Sequence, residues 1–404
     1  MLNRFRSIGP GALAAAAFIG PGTVTTATVA GATYGYSLAW ALVFATLAAI
    51  ALQETAARLG VAGRTGLGEA ILSAAGQNVV VKWAAVALIV AALFVGNAAY
   101  EGGNIAGAVL GLQAAAPATP RAGAAILIGL IAGAFLLFGG YKTIERALIV
   151  AVLMMTAAFA SALVIVRPDW GALLAGATVP KLSLDALPVA VGLIGTTIVP
   201  YNLFLHAAAA RKRWSGPEDL GEARFDARLS IGVGGLVSLL VLSTAAASLF
   251  GAGLSVSNAA DMARQLEPAF GAGATWLLAA GLVAAGLSSA ITAPLATAFA
   301  AAELFGFDSD PKATPFRLVA GAVLLIGVVT AATGARPVEI ILFAQFANGL
   351  LLPIVAGFLL YAANRKSLLG PYINGWRANL AGGVVVAVTA GLGLRAILRA
   401  LGIW

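Results

Sequence analysis

The sequence predicts an all-α polytopic membrane protein: about 11 transmembrane helices in two five-helix units of opposite orientation, with helices one and six broken. Three observations predict it. Apolar residues make up 61% of the chain and charged residues only 10%, against about 25% charged in soluble domains. Hydrophobic runs of about 20 residues recur from end to end, enough to cross a hydrocarbon core of about 30 Å. Two of these runs are interrupted, at Gly20-Pro21-Gly22-Thr23 and at Val199-Pro200-Tyr201-Asn202. A Pro among small or polar residues frees backbone N–H and C=O groups, which persist at membrane depth only where they line a cavity or bind something.

Taken in order, the spans fall at about 11–35, 38–59, 80–112, 121–140, 146–167, 187–210, 227–250, 271–304, 315–334, 337–363 and 377–402. Gly139-Gly140 closes the fourth, Arg167-Pro168-Asp169 the fifth, and Arg336-Pro337 separates the ninth from the tenth. Arg211–Arg228 reads as a charged connector turning at Ser215-Gly216-Pro217. With the N-terminus inside, the inner loops hold 17 of the 24 Lys and Arg residues, which predicts a cytoplasmic N-terminus in an inner (plasma) membrane. The repeats cover about 11–167 and 187–363, and a further helix follows at about 377–402. Each unit has an odd number of helices, so the second is inverted, as in the LeuT-like transporters. The whole of residues 1–404 reads as one transmembrane domain.

Composition also excludes. The chain has no Cys and one His, so thiolate ligands, disulfides and zinc-ligand spacings are absent. No Gly-rich nucleotide loop ends in Gly-Lys-Ser/Thr, and no Ser-His-Asp set occurs, so neither an ATP-driven pump nor an enzyme is expected. The net charge of +8 lies in membrane loops and does not indicate nucleic acid. The short segment 1–10, with Arg4 and Arg6, runs into the first span without a cleavable signal. No cofactor is expected; the expected partners are the lipid bilayer and a small ion or solute.

Ionisable groups well inside the spans are few, and burying one costs several kcal/mol on most scales, about 2.5–3.5 on the least severe. Asn97, Glu101 and Asn104, spaced i, i+4 and i+7, share one face of the third span. They form either an ion pathway or a packing network around a protonated Glu101. His206 lies four residues after Asn202 and suits a proton relay or gate, or a hydrogen bond between helices. Glu54 has Arg58 at i+4 and is expected to pair with it. Gln345 and Asn348 lie one turn apart in the tenth span, and Ser288, Ser289 and Thr292 in the eighth.

These residues resemble the natural-resistance-associated macrophage protein (Nramp) family of metal-ion transporters. Gly20–Thr23 aligns with that family's Asp-Pro-Gly-Asn motif, and Tyr201–His206 with its His-Asn-Leu-Tyr-Leu-His run after Met-Pro. Gly281–Thr292, Gln345 with Leu352-Pro353, and Asn364–Gly370 resemble later family segments. The resemblance implies a secondary transporter and places Gly20, Thr23, Thr196, Thr197, Val199, Tyr201, Asn202 and Gln345 at the substrate site. It places Glu101 on the family's proton route and His206 at its second His; with Asn97 and Asn104, which share the helix face of Glu101, these are the expected proton or ion pathway. The family's metal-binding Asp falls on Gly20, its Asn on Thr23, its Met on Val199 and one of its His residues on Tyr201. Neutral oxygen remains where charge and sulfur are usual, so the resemblance implies cation transport with altered selectivity. The alternatives are transport of another small solute, or an Nramp-like sensor that moves nothing.

Overall fold

The computed structural model describes residues 9–10, 19–75, 79–138 and 141–403. Its principal helices are α1 (Pro21–Tyr34), α2 (Ala39–Val61), α3 (Leu67–Ala75), α4 (Val79–Ala115), α5 (Arg121–Phe138), α6 (Tyr141–Val166) and α7 (Trp170–Thr178). The series continues with α8 (Leu187–Thr197), α9 (Pro200–Arg213), α10 (Leu220–Ala245), α11 (Gly273–Phe305), α12 (Thr314–Ala332), α13 (Pro337–Ala363) and α14 (Trp376–Ala400). Ten segments among the described residues are long and apolar enough to cross a membrane, with α8 and α9 counted as one. The expected first half of span one falls on residues 11–18, outside the described residues, as do Arg4, Arg6 and Gly139-Gly140.

The two breaks follow from local chemistry. Gly20 is extended, with φ −116° and ψ −172°, and α1 starts directly at Pro21. In the second break α8 stops at Thr197, Ile198 and Val199 leave helical geometry, and Pro200 opens α9. Proline disfavours helical backbone at the residue before it. It also lacks an N–H, which suits the first position of a new helix.

Packing between the halves is reciprocal. The first broken helix, through α1, packs on α10, while the second, through α9, packs on α2. The long helix α4 lies against α11, α12 and α13, and α2 meets α10. Small residues permit these approaches, as expected where lipid supplies no hydrophobic drive between helices. A Cβ on Gly107 of α4 would lie 2.1 Å from Pro21 Cβ, and one on Gly195 of α8 would lie 2.1 Å from the Gln345 carbonyl oxygen.

Three expectations are corrected. Much of the connector Arg211–Arg228 is helical: α9 runs to Arg213, Pro217–Asp219 form a single turn, and α10 begins at Leu220. The buried indole of Trp214, in a small cluster with Val61 and Leu220, holds this segment against α2. The seventh span accordingly starts earlier than 227, and it ends in a π-helical turn at Ala246–Phe250. Glu54 pairs with Arg224 at 2.9 Å and Arg228 at 3.0 Å on α10 rather than with Arg58. Arg58 turns inward instead, and its Nη2 donates to Asn374 Oδ1 at 2.5 Å. The tertiary neighbours outcompete an i,i+4 pair worth only a few tenths of a kcal/mol, about 0.2–0.5.

Candidate functional site

The breaks meet directly. Thr23 Oγ1 on α1 and Thr196 Oγ1 on α8 lie 2.9 Å apart in a buried hydrogen bond. Thr197 spends its hydroxyl on its own helix, donating to the Leu193 carbonyl at 3.0 Å. Val199 is fully buried, and its carbonyl accepts the Asn202 N–H at 3.0 Å. Tyr201 is also fully buried, and its ring meets Tyr100 of α4 edge to face, with centroids 5.6 Å apart.

The space beside Gly20, where a carboxylate would start, is faced by hydroxyls. A Cβ there would sit 3.1 Å from Ser289 Oγ and 3.9 Å from the Tyr100 hydroxyl. Two residues on, Gln345 of α13 lies over the bare backbone of Gly22 in α1, where a Cβ would come within 2.3 Å of its Nε2. Asn348, the next polar residue on α13, comes within 3.5 Å of the Cβ position of Gly96 on α4. Gln345 and Asn348 are 0% exposed, and neither amide has a hydrogen-bond partner for its oxygen or its nitrogen among the described residues. Buried polar groups are almost always paired, so four orphaned amide atoms beside a double helix break mark a place for water or a polar ligand.

The polar face of α4 divides. Asn97 Nδ2 donates to Thr297 Oγ1 on α11 at 2.6 Å. Glu101 is fully buried towards α12, with its Cγ 2.4 Å from the Cβ position of Gly327, and it accepts from Asn104 Nδ2 at 3.2 Å. The second carboxyl oxygen of Glu101 has no partner among the described residues. His206 of α9 donates from Nδ1 to Gln53 Oε1 of α2 at 2.7 Å in the assigned amide orientation. Thr292 bonds the Ser288 carbonyl of its own helix. Ser289, one of the polar residues the eighth span offered, faces Gly20, whereas Tyr100 and Gln53 escape sequence reasoning, since only the packing of α4 and α2 brings them to Gly20 and His206.

Chemically, this is a cradle of neutral hydroxyls, amides and backbone carbonyls. No group of three or more His, Cys, Asp or Glu that could hold a metal ion occurs among the described residues. A divalent ion stripped of water would lack compensating charge here. The buried carboxyl of Glu101, next in sequence to Tyr100, is turned towards α12.

The fold and the paired breaks define a multi-pass membrane protein with the five-plus-five inverted-repeat architecture. The chain belongs to the natural resistance-associated macrophage protein-like family, whose model matches residues 11–399. The divalent metal cation transporter MntH of Acidiphilium cryptum is 29% identical over 401 residues, covering 96% of this chain and 89% of its own. MntH of Aeromonas hydrophila is 29% identical over 393 residues, covering 95% and 93%. Among solved structures, the Eremococcus coleocola manganese transporter bound to an aromatic bis-isothiourea compound superposes with a TM-score of 0.76 at 22% identity, covering 97% and 86% of the two chains. The nucleobase-cation-symport-1 family transporter Mhp1 superposes with a TM-score of 0.59 at 14% identity, covering 98% and 90%. These two likenesses concern the fold.

Proposed function

We propose that this protein is a secondary-active transporter of a small cation, working by alternating access as one helix bundle rocks against the other. The reading places its N-terminus and basic loops on the cytoplasmic side of an inner membrane. Family membership and the MntH relatives support cation transport. The chemistry of the breaks supports altered selectivity: the cation keeps much of its water, as Mg²⁺ does readily because it dehydrates reluctantly. The observation that carries this is the pair of buried, unpartnered amides, Gln345 and Asn348, beside breaks that offer Gly20 and Val199 instead of carboxylate and thioether. Neutral amides and the Thr23, Thr196 and Asn202 side chains hold hydrating water well and a bare transition ion poorly. Thr197, Tyr201 and the break carbonyls complete the wall. Glu101 and His206, with Asn97 and Asn104, are the residues proposed to carry any coupled proton.

A second reading rests on a separate observation. The Tyr100 hydroxyl lies 3.9 Å from the Cβ position of Gly20, and the Tyr100 ring packs edge to face on Tyr201, so an uncharged aromatic wall of the kind that suits a small organic cation stands beside the break.

The test is uptake by the purified protein in liposomes, for Mg²⁺, Mn²⁺ and a small alkylammonium ion, with and without a pH gradient. Mg²⁺ uptake that Fe²⁺ does not suppress is expected. Mn²⁺ uptake competed by Fe²⁺ but not by Ca²⁺ overturns the altered selectivity, and alkylammonium flux alone selects the second reading. Absence of all flux, with Glu101→Gln behaving identically, leaves a non-transporting sensor.

A further inference from the structure

A cavity of about 570 Å³ opens between α4, α5, the start of α13 and the loop at Ser257-Asn258. Its wall on α4 includes Leu110, one helical turn beyond Gly107, which packs on Pro21 at the first break.

Its charged lining is of one sign. Arg121 and Arg336 line it, with Gln113, Ser257 and Asn258 as the neutral polar groups, and no carboxylate lines it. The Arg121 guanidinium is fixed, because Nη1 donates to the carbonyls of Thr333 at 3.2 Å and Ala335 at 2.5 Å. Its Nε is buried and unpartnered among the described residues. Arg336 is exposed and makes no ion pair among the described residues. Two carboxylates stand near. Asp261 is engaged by the N–H and hydroxyl of Ser257, at 2.9 and 2.7 Å, and Glu339 sits in the first turn of α13. Neither neutralises the two guanidiniums by an ion pair.

We propose that this cavity binds a small multivalent oxyanion, gripped between Arg121 and Arg336. Guanidinium forks match carboxylate and phosphate oxygens, and two of them in one recess favour an anion with more than one charged oxygen group. Asn258 Nδ2 and Gln113 Nε2, each with one hydrogen bonded within the protein, have a second hydrogen to donate at its rim. The site is distinct from the breaks and stands whether or not the transport reading does.

The experiment is calorimetric titration of the full-length protein in detergent with citrate and with inorganic phosphate, at constant ionic strength, with chloride as the monovalent control. Saturable binding of at least one of the two oxyanions, and none of chloride, is expected. Arg336→Gln removes an exposed side chain without disturbing packing and should weaken that binding about tenfold, as for loss of one charge-assisted contact. Arg121→Lys keeps the charge but loses the fork, and should weaken it also. No saturable oxyanion binding, equal binding of chloride, or an unchanged Kd in a folded Arg336→Gln protein would overturn the proposal.

Discussion

Replacing Gln345 by Met separates stability from function at the breaks. Both polar atoms of the Gln345 amide are buried without a partner among the described residues. Each such atom costs about 1–3 kcal/mol in lost hydration. Met has nearly the same length and volume, and a volume-conserving exchange of this kind costs less than about 1.5 kcal/mol in packing. Two atoms at the lower limit, less that misfit at its upper limit, leave a net gain of at least about 0.5 kcal/mol for Gln345→Met. The variant is therefore expected to unfold at a higher temperature in detergent without added ion, and to lose most uptake in liposomes. This is the stability–activity trade seen where a site is kept polar for its ligand. A lower unfolding temperature would refute the reasoning, because it would mean the amide is bonded within the fold. Unchanged uptake would refute it from the other side.

The remaining expectations concern other elements. Gly20→Asp with Val199→Met should create Mn²⁺ binding measurable by calorimetry, most clearly with Ser289→Ala, since Ser289 Oγ stands 3.1 Å from the new Cβ; no gain in all three combined would remove the alignment behind it. Gly195→Ala should cost about 1–3 kcal/mol by overpacking, because the new methyl meets the Gln345 carbonyl oxygen at 2.1 Å and the Gly349 nitrogen at 2.4 Å, both backbone; a variant as heat-stable as the parent would contradict this. Glu54→Gln should change stability by less than about 1 kcal/mol, since Arg224 and Arg228 are 42% and 60% exposed; a larger loss on thermal unfolding would show a stronger role for that cluster. Partial burial tends to raise Asp261, but hydrogen bonds from Ser257 and Asn258 and the nearby Arg264 charge hold its carboxyl below the usual range. Its folded pKa is thus depressed, so its stabilisation is present above the ordinary carboxylate value and is lost as pH falls through the lower folded value. The stability difference between the parent and Asp261→Asn should vanish in acid, and a difference independent of pH would count against the hydrogen bonds as its source.

Much of the fold was legible because a bilayer imposes long apolar runs, and because Pro21 and Pro200 interrupt two of them visibly. The span limits of α4, α13 and α14 follow the hydrophobic pattern to within a few residues. What escaped was whatever depends on neighbours. Spacing put Asn97, Glu101 and Asn104 on one face of α4, but that face is wide enough to meet two helices, and only packing sends Asn97 to α11 and Glu101 to α12. Periodicity offered Arg58 to Glu54, whereas the inward path of Arg58 to Asn374 depends on a loop some 300 residues away. Tyr100 carried no signal beyond its place before Glu101, and it reaches Gly20 only because Gly107 lets α4 approach Pro21. Trp214 looked like part of a polar connector until its burial against α2 showed why the segment is helical on both sides.

The reciprocal packing of the broken helices has the geometry of a swapped dimer made within one chain. Each repeat lends its first helix to the second helix of the other, so neither repeat can bury that surface by itself. Cutting the chain between residues 167 and 187 should then yield fragments that are insoluble apart and that assemble when made together, without a covalent link. In the proposed rocking motion the same interlock would carry the first helix of one repeat with the second helix of the other, across the order of the sequence.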